Sequence, residues 1–465
     1  MTTNIILNAD SYKMSHFWQY PPSTEQIYSY VESRGGQWDR TLFFGLQMFL
    51  KEYLARPVTQ ADIDEAAPIL AAHGVPFHRA GWEHIVEAHG GRLPVEIRAV
   101  PEGTVLPTRN VLATVVNTDP ACFWLTSFLE TSLLRAIWYP TTVATNSYMC
   151  KQVIHRYLEK TSEDPAGQIG FKLHDFGARG VSSQESAAIG GVAHLVNFMG
   201  TDTLAGILAA RDYYDEPMAG FSIPAAEHST ITSWGRECEA DAYRNMLTQF
   251  GKPGALVACV SDSYDLDHAI TGLWGGSLKE AVLATGGVLV VRPDSGDPAT
   301  IVARSVEQLG QVFGSTINAK GYRVLHPSVR IIQGDGINFG SIGGILERLT
   351  GAGWSAENVA FGMGGGLLQQ LDRDTLKFAM KCSAAKIGGE WRDVYKDPVT
   401  DPGKASKRGR FALVHDAEGW RTVPAEGNAA QDRLCLVYRD GRLLNETSFA
   451  AIRARANAGI DSQAL

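Results

Sequence analysis

The chain has 465 residues, 45% of them apolar and 20% charged, with a formal net charge of −8. This ordinary globular usage excludes disordered and fibrous classes, and the acidic balance speaks against a general nucleic-acid binder. The length predicts two domains, or one barrel with a large accessory domain, and no apolar run reaches the roughly 18 residues that span a bilayer.

In chain order, residues 1–149 mix helices with short strands such as RLPVEIRAV (92–100) and VLATVVNT (111–118). The start, MTTNIILNADSYKMSH, has no basic stretch followed by a long apolar one, so no secretory signal is expected. From 150 to 380 short apolar runs alternate with helix-like stretches, the pattern of βα units around a parallel sheet or barrel. FKLHDFG (171–177) reads as a strand, followed by a helix in SSQESAAIGGVAHLVNF, and 201–214 is a further helix. GFSIPAAEHS (220–229) reads as a strand and its exit, GALVACVSDSYD (254–265) as a buried strand and polar turn. GVLVVRPDSGDP (287–298) repeats that design before the helix TIVARSVEQLGQVF. VRIIQGDG (329–336) precedes SIGGILERL, and ENVAFGMGGG (357–366) precedes a helix in LLQQLDRDTLKF. After 381 come strands and turns, with Asp440-Gly441 as a hairpin turn. Both flanks are expected to pack together, giving 1–149 plus 381–465 as an α+β domain around a 150–380 barrel.

The six cysteines form no CxxC pair and lie far apart, so neither a structural zinc site nor a disulfide framework is expected, and a reducing, cytoplasmic setting fits.

The apolar runs of the middle region share one feature: each ends in a polar or Gly-rich exit. Arg179, His228, Ser261, Asp265, Arg292, Asp294, Asp335 and Gly364 to Gly366 all lie at such exits. In a βα barrel the active site sits at the carboxyl ends of the strands, and an open doubly wound sheet obeys the same rule. In RPDSGDP a carboxylate can hold ribose hydroxyls directly or through a magnesium shell; Asp297 reads as a helix cap. IQGDG, with Gly334 and Asp335, and GMGGG, with Gly364 and Gly365, are late turns whose backbone N–H groups can cradle a phosphate. His228 is either a satisfied structural residue or a base or phosphoryl acceptor. From Lys381 to Arg410 eight basic residues meet four acidic ones. Lys381, Lys396, Lys404, Lys407, Arg408 and Arg410 are a solvated face or a set of fixed cations for a departing pyrophosphate. Phe176 and Tyr12 read as core aromatics from the residues alone, and Asp202 in GTDTLAG is placed to cap a helix.

Taken together, NADSYKMSHFWQYPP, YSYVESRGG, KLHDFGARGVSSQES, NFMGTDT, PAAEHSTITSWG, VSDSYD, RPDSG, IQGDG, FGMGGGLLQ, KCS and YKDPVTDPGKASKRGR resemble the nicotinamide phosphoribosyltransferase family along nearly the whole chain. The resemblance implies a type II phosphoribosyltransferase fold: an α/β architecture with an irregular βα barrel, a second α+β domain from both chain ends, and a homodimer with shared active sites. It implies that Phe176 and the partner's Tyr12 sandwich the pyridine ring, with Asp202 and Ser261 near the carboxamide and Arg292 reaching the ring pocket. It places Asp294 at the ribose. Gly334, Asp335, Gly364, Gly365 and Arg179 border the nucleotide phosphate, and Asp265 stands at the diphosphate and metal end. Arg34, Arg373, Lys381 and Lys396 match residues that hold pyrophosphate. His228 matches the histidine that ATP phosphorylates. The implied catalytic set is His228, Asp294, Arg292 and Asp265. Nicotinamide, phosphoribosyl pyrophosphate and ATP are the implied ligands and Mg2+ the implied cofactor, with no nucleic-acid or membrane partner. Two departures stand out: Ala178 where animal relatives carry tyrosine, and Met363 in place of a small polar residue inside the Gly-rich turn. The rival readings are a nicotinate or quinolinate phosphoribosyltransferase, which bind an acid, and a non-catalytic scaffold with the same fold.

Overall fold

The computed structural model describes residues 4–397, 400 and 406–458. Lys404, expected in a basic loop, lies outside the described residues. The chain divides into two compact units. One runs to Thr145 and takes in Tyr213–Asp215 and Asp372–Ala456; the other holds Asn146–Asp212 and Glu216–Leu371.

The first unit is built on a seven-stranded antiparallel sheet. Thr24–Ser33 sits near its middle, between Phe378–Ile387 and Val111–Asn117. Tyr30 stands opposite Lys381 and Thr114. The pairing of residue 30 with residue 381 shows physically how both chain ends make one α+β domain. Val95–Ala99 alternates buried and half-buried residues, as a sheet covered more heavily on one face requires. Cys435–Arg439 turns back into Arg442–Leu443 through Asp440 and Gly441, both at positive φ (50° and 80°), as a tight hairpin demands.

The second unit carries six parallel strands: β1 (Leu173–Asp175), β2 (Gly200–Thr201), β3 (Leu256–Val260), β4 (Val288–Arg292), β5 (Val329–Gln333) and β6 (Val359–Met363). Their order is β2-β1-β6-β5-β4-β3. The strand expected in 220–229 is not a regular strand. Residues 221–226 bridge the open edges instead: Phe221 N donates to Met199 O (2.7 Å), Thr201 N to Phe221 O (3.0 Å) and Ala258 N to Pro224 O (2.9 Å). Pro224 has no N–H to give a ladder, so the segment closes the barrel by single bridges. The strands read as near-continuous apolar runs because both faces are covered. Ala258, Val290 and Ile332 point inward and pack with Phe176, Ile223, Val288 and Ala360.

The helices alternate with the strands. Pro298–Phe313 starts at Asp297, whose Oδ2 accepts from Thr300 N (2.9 Å), so this aspartate is the expected cap. Phe339–Gly351 starts with a capping box between Asn338 and Ser341. The long helix expected in LLQQLDRDTLKF is absent. Gly365–Leu368 makes one turn, and Asp372 then caps a separate short turn at Arg373–Thr375. Asp372 Oδ1 accepts from both Asp374 N and Thr375 N (2.8 Å each), an alternative to helix continuation that aspartate offers readily.

Candidate active site

A cavity of about 860 Å3 occupies the barrel. Its walls are the inward residues of the strands: Ala258, Val290, Ile332 and Ala360. Phe176, Arg179, Asp202 and Arg292 line the end at the strand carboxyl termini, and Lys172, Arg330 and Glu357 line the other. A pocket that is apolar along its length with a few polar groups at its ends suits a small flat ligand.

Phe176 follows β1, and its N–H donates to Met363 O (3.0 Å). Its ring lies where Gly362 has no side chain: a Cβ there would stand 2.0 Å from Phe176 Cε2. A Cβ on Gly334 would stand 3.4 Å from the same ring and 3.6 Å from Asp294 Oδ1. The IQGDG turn therefore adjoins both the aromatic ring and the β4 exit. Gly180 and Gly365 approach equally closely, with a Cβ on the first 3.8 Å from Cα of the second. Arg179's turn and the Gly364–Gly366 turn are thus neighbours.

At the β4 exit Arg292 Nη1 donates to Asp294 Oδ1 (3.4 Å). Asp294 Oδ2 lies 3.5 Å from His228 Nε2. His228 opens the short helix His228–Thr232, accessible to solvent, and its Nδ1 meets Ser263 Oγ at 3.1 Å. The residue that organises this corner is Asp262, which the sequence reading passed over. Its side chain is only 5% exposed, and its Oδ2 accepts from Asp294 N (2.9 Å) and Ser295 Oγ (2.5 Å). Its Oδ1 stands 3.7 Å from His228 Nε2 and makes no hydrogen bond to a described residue. A histidine thus faces two carboxylates at one strand end.

Asp202 does not spend its carboxylate on a helix cap. Oδ1 accepts from Ser222 Oγ (2.5 Å) at the cavity wall. Beneath it, burial pushes the Asp175 carboxyl up to about 6, although Gly177 N donates to it (2.7 Å).

Two expected site residues are turned to other work. Ser261 is fully buried, donates to Cys259 O and accepts from Trp274 Nε1 (3.0 Å each). Its hydroxyl is committed within the packing, rather than offered to the cavity. Asp265 caps the turn at Leu266–His268, accepting from His268 N (3.0 Å). Asp335 is exposed, and its carbonyl accepts from Gln333 Nε2 (2.9 Å). Ala178 lines the cavity and leaves its wall short of a ring, while Met363 is buried and serves Phe176 through its carbonyl.

The four cations expected around pyrophosphate gather in the first unit. Burial pushes the Lys381 ammonium down; Glu130 opposes this, and the charges of Arg34, Lys396 and Arg373 press it further down. Arg34 is steadied by Glu32 (3.2 Å) and Arg373 by Asp374 (3.2 Å). Four like charges close enough to disfavour one another suit a polyanionic ligand. Tyr12, in the same unit, is 58% exposed, with His16 edge-on at 4.9 Å and the Lys13 ammonium 5.1 Å from its ring centre. Among the described residues no helix is long and apolar enough to cross a membrane.

Residues 171–442 match the nicotinate phosphoribosyltransferase (NAPRTase) family, and residues 4–97 match the nicotinamide phosphoribosyltransferase N-terminal domain. A protein named nicotinamide phosphoribosyltransferase from Xanthomonas campestris pv. campestris is 59% identical over 98% of both chains. One of the same name from Acinetobacter baylyi is 32% identical over 98% of both. Among solved structures, nicotinate-nucleotide pyrophosphorylase from Pyrococcus furiosus superposes with a TM-score of 0.61 at 14% identity, covering 100% of this chain and 97% of that one. Human nicotinic acid phosphoribosyltransferase gives 0.54 at 20% identity, covering 97% and 93%. These two share the fold. The sequence matches decide the family: this chain belongs to the nicotinamide phosphoribosyltransferase family and is a phosphoribosyltransferase.

Proposed function

We propose that the chain joins nicotinamide to phosphoribosyl pyrophosphate, forming nicotinamide mononucleotide and pyrophosphate for NAD salvage in the cytoplasm. The observation that carries this reading is the barrel mouth, where Phe176 on its glycine floor, Asp202 and Arg292 line one cavity, and Arg292 joins it to the Asp294–His228 corner. The pyridine nitrogen attacks C1 of the ribose as the C1–O bond to pyrophosphate breaks, and pyrophosphate leaves with the bonding electrons. The neutral ring nitrogen needs no base, so the task of the site is alignment and charge stabilisation. Phe176 holds the ring, Asp202 accepts from the amide NH2, and Asp294 meets the ribose. The Gly334–Asp335 and Gly364–Gly365 turns, with Arg179, receive the phosphate. Arg34, Arg373, Lys381 and Lys396 take the leaving diphosphate.

Magnesium fits the donor set. Asp262 Oδ1, buried and without a hydrogen bond to a described residue, and Asp294 Oδ2 are hard oxygens that both face His228. When bound there, the ion neutralises phosphate charge. His228, facing the same two carboxylates, is the group that ATP would phosphorylate, coupling hydrolysis to product formation. A second copy of the chain would supply Tyr12 to each ring pocket.

The test is product formation from phosphoribosyl pyrophosphate with nicotinamide and with nicotinate side by side. Turnover of the amide well above the acid is expected; preference for the acid, or no turnover of either, overturns the reading. His228→Ala should lose ATP stimulation and keep basal turnover. Mixing inactive Tyr12→Ala with inactive Asp294→Ala should restore activity if sites are shared between copies.

A further inference from the structure

In the first unit, helix Arg79–His89 and the turn at Pro120–Cys122 bring four metal-ligating side chains together. His84 Nε2 and His89 Nε2 both stand 2.7 Å from the same oxygen, Asp119 Oδ2. Cys122 completes the group: ligand atoms of His84, Asp119 and Cys122 all lie within 4.8 Å of one another. Ligands around a single zinc ion, at bond lengths near 2.0–2.3 Å, lie roughly 3–4 Å apart.

The position of each group is fixed by its neighbours. Asp119 caps the Pro120–Cys122 turn through Oδ1, which accepts from Ala121 N (2.8 Å). Its carbonyl accepts from Asn117 Nδ2 (2.8 Å) and Cys122 N (3.0 Å). This leaves Oδ2 to face the imidazoles. Both imidazoles already converge on this one carboxylate oxygen, which sets the orientation of Asp119. His84 is 40% exposed at its side chain, which opens a path from solvent, while Cys122 is fully buried behind it.

We propose that His84, Asp119 and Cys122 bind a borderline-soft divalent transition metal of the zinc class, with His89 orienting Asp119. Imidazole nitrogen, carboxylate oxygen and thiolate sulfur together suit zinc, whereas magnesium and calcium take oxygen alone. A thiolate and a carboxylate balance the two charges of the ion. Cys122 binds the ion as thiolate and so releases its proton, and affinity tightens as pH rises. Sequence spacing gives no hint of the site, because its ligands come from two segments that lack a CxxC pair. The sequence-based expectation of no zinc site rested on that spacing alone.

The test uses the full-length protein without a histidine tag, stripped with a chelator and titrated with Co2+ at pH 8. One saturable equivalent is expected, with a thiolate-to-metal charge-transfer band in the near ultraviolet that Zn2+ displaces. Cys122→Ser should abolish the band, and Cys238→Ser, at an exposed cysteine, should leave it. His89→Ala should weaken binding about 10–100-fold, the usual effect of losing an orienting partner. His84→Ala, at an exposed side chain, should abolish the saturable equivalent and keeps the proposal testable if Cys122→Ser disturbs packing. Turnover should stay unchanged in His84→Ala. No saturable band in the wild type, or a band that survives Cys122→Ser or His84→Ala, overturns the site.

Discussion

Gly362 leaves bare the space that the Phe176 ring fills: a Cβ on the glycine would stand 2.0 Å from Cε2 of the ring, 2.2 Å from Cδ2 and 2.7 Å from Cζ. The strand is bare there so that the ring can lie on it, and the ring's position sets one wall of the cavity. Gly362→Ala should push the ring off its floor. Losing one well-placed stacking contact of about 1 kcal/mol, together with partial blockage of the pocket, should raise KM for nicotinamide about tenfold or more. Steady-state kinetics at saturating phosphoribosyl pyrophosphate check this; an unchanged KM would mean that Phe176 does not hold the substrate.

Asp262 holds the 294–295 turn by accepting from Asp294 N and Ser295 Oγ, and it faces His228 with its other oxygen. Asp262→Ala removes two charge-assisted hydrogen bonds at once. At about 1.5–3 kcal/mol for each such bond, kcat/KM should fall at least about 100-fold. Asp262→Asn keeps one acceptor and should fall less. Equal activity in wild type and Asp262→Ala would reduce this residue to a bystander.

The segment around Asp262 shows how far the sequence could be read. VSDSYD announces a polar strand exit, and the exit is where the site stands. It does not say which of its polar residues turns inward. Ser261 is drawn back by Cys259 O and Trp274, Asp265 is claimed by the next turn, and Asp262 is left to face His228. These choices depend on Trp274 and Asp294, far away in sequence. The barrel itself was legible, because strands covered on both faces leave apolar runs with polar ends. The 221–226 bridge was less so, since a segment that pairs through isolated contacts carries no period-2 signal. The Arg34–Lys381 side of the first unit was legible only by resemblance, because no local pattern tells residue 30 that residue 381 pairs beside it.

Asp202 stands at the cavity wall with Ser222 as its partner. A carboxylate there accepts from an amide NH2 and repels a second carboxylate. Asp202→Ser should raise the ratio of nicotinate to nicotinamide kcat/KM at least about tenfold, the effect of removing roughly 1.4 kcal/mol of repulsion. Paired kinetics with both substrates measure the ratio directly, and an unaltered ratio would move amide selection elsewhere.

Lys172 closes the far end of the same cavity. Its Nζ donates to Glu357 O (2.7 Å), and the Arg330 guanidinium nearby donates to the carbonyl of Val329 (2.7 Å). Burial, and then the charge of Arg330, push the Lys172 ammonium down to about 7. The folded protein therefore disfavours a proton that the unfolded chain keeps up to its ordinary value of 10.5. The favourable side of this linkage is complete above pH 10.5, declines as pH falls, and is lost once pH has passed through about 7. Lys172→Met removes the buried charge while keeping the length of the side chain. Its Tm should exceed that of the wild type at pH 6 and approach it at pH 10, where the wild-type amine is already neutral. Scanning calorimetry at the two pH values checks the sign. A gain that is equal at both would assign the effect to packing alone, because only a titrating amine makes the difference depend on pH.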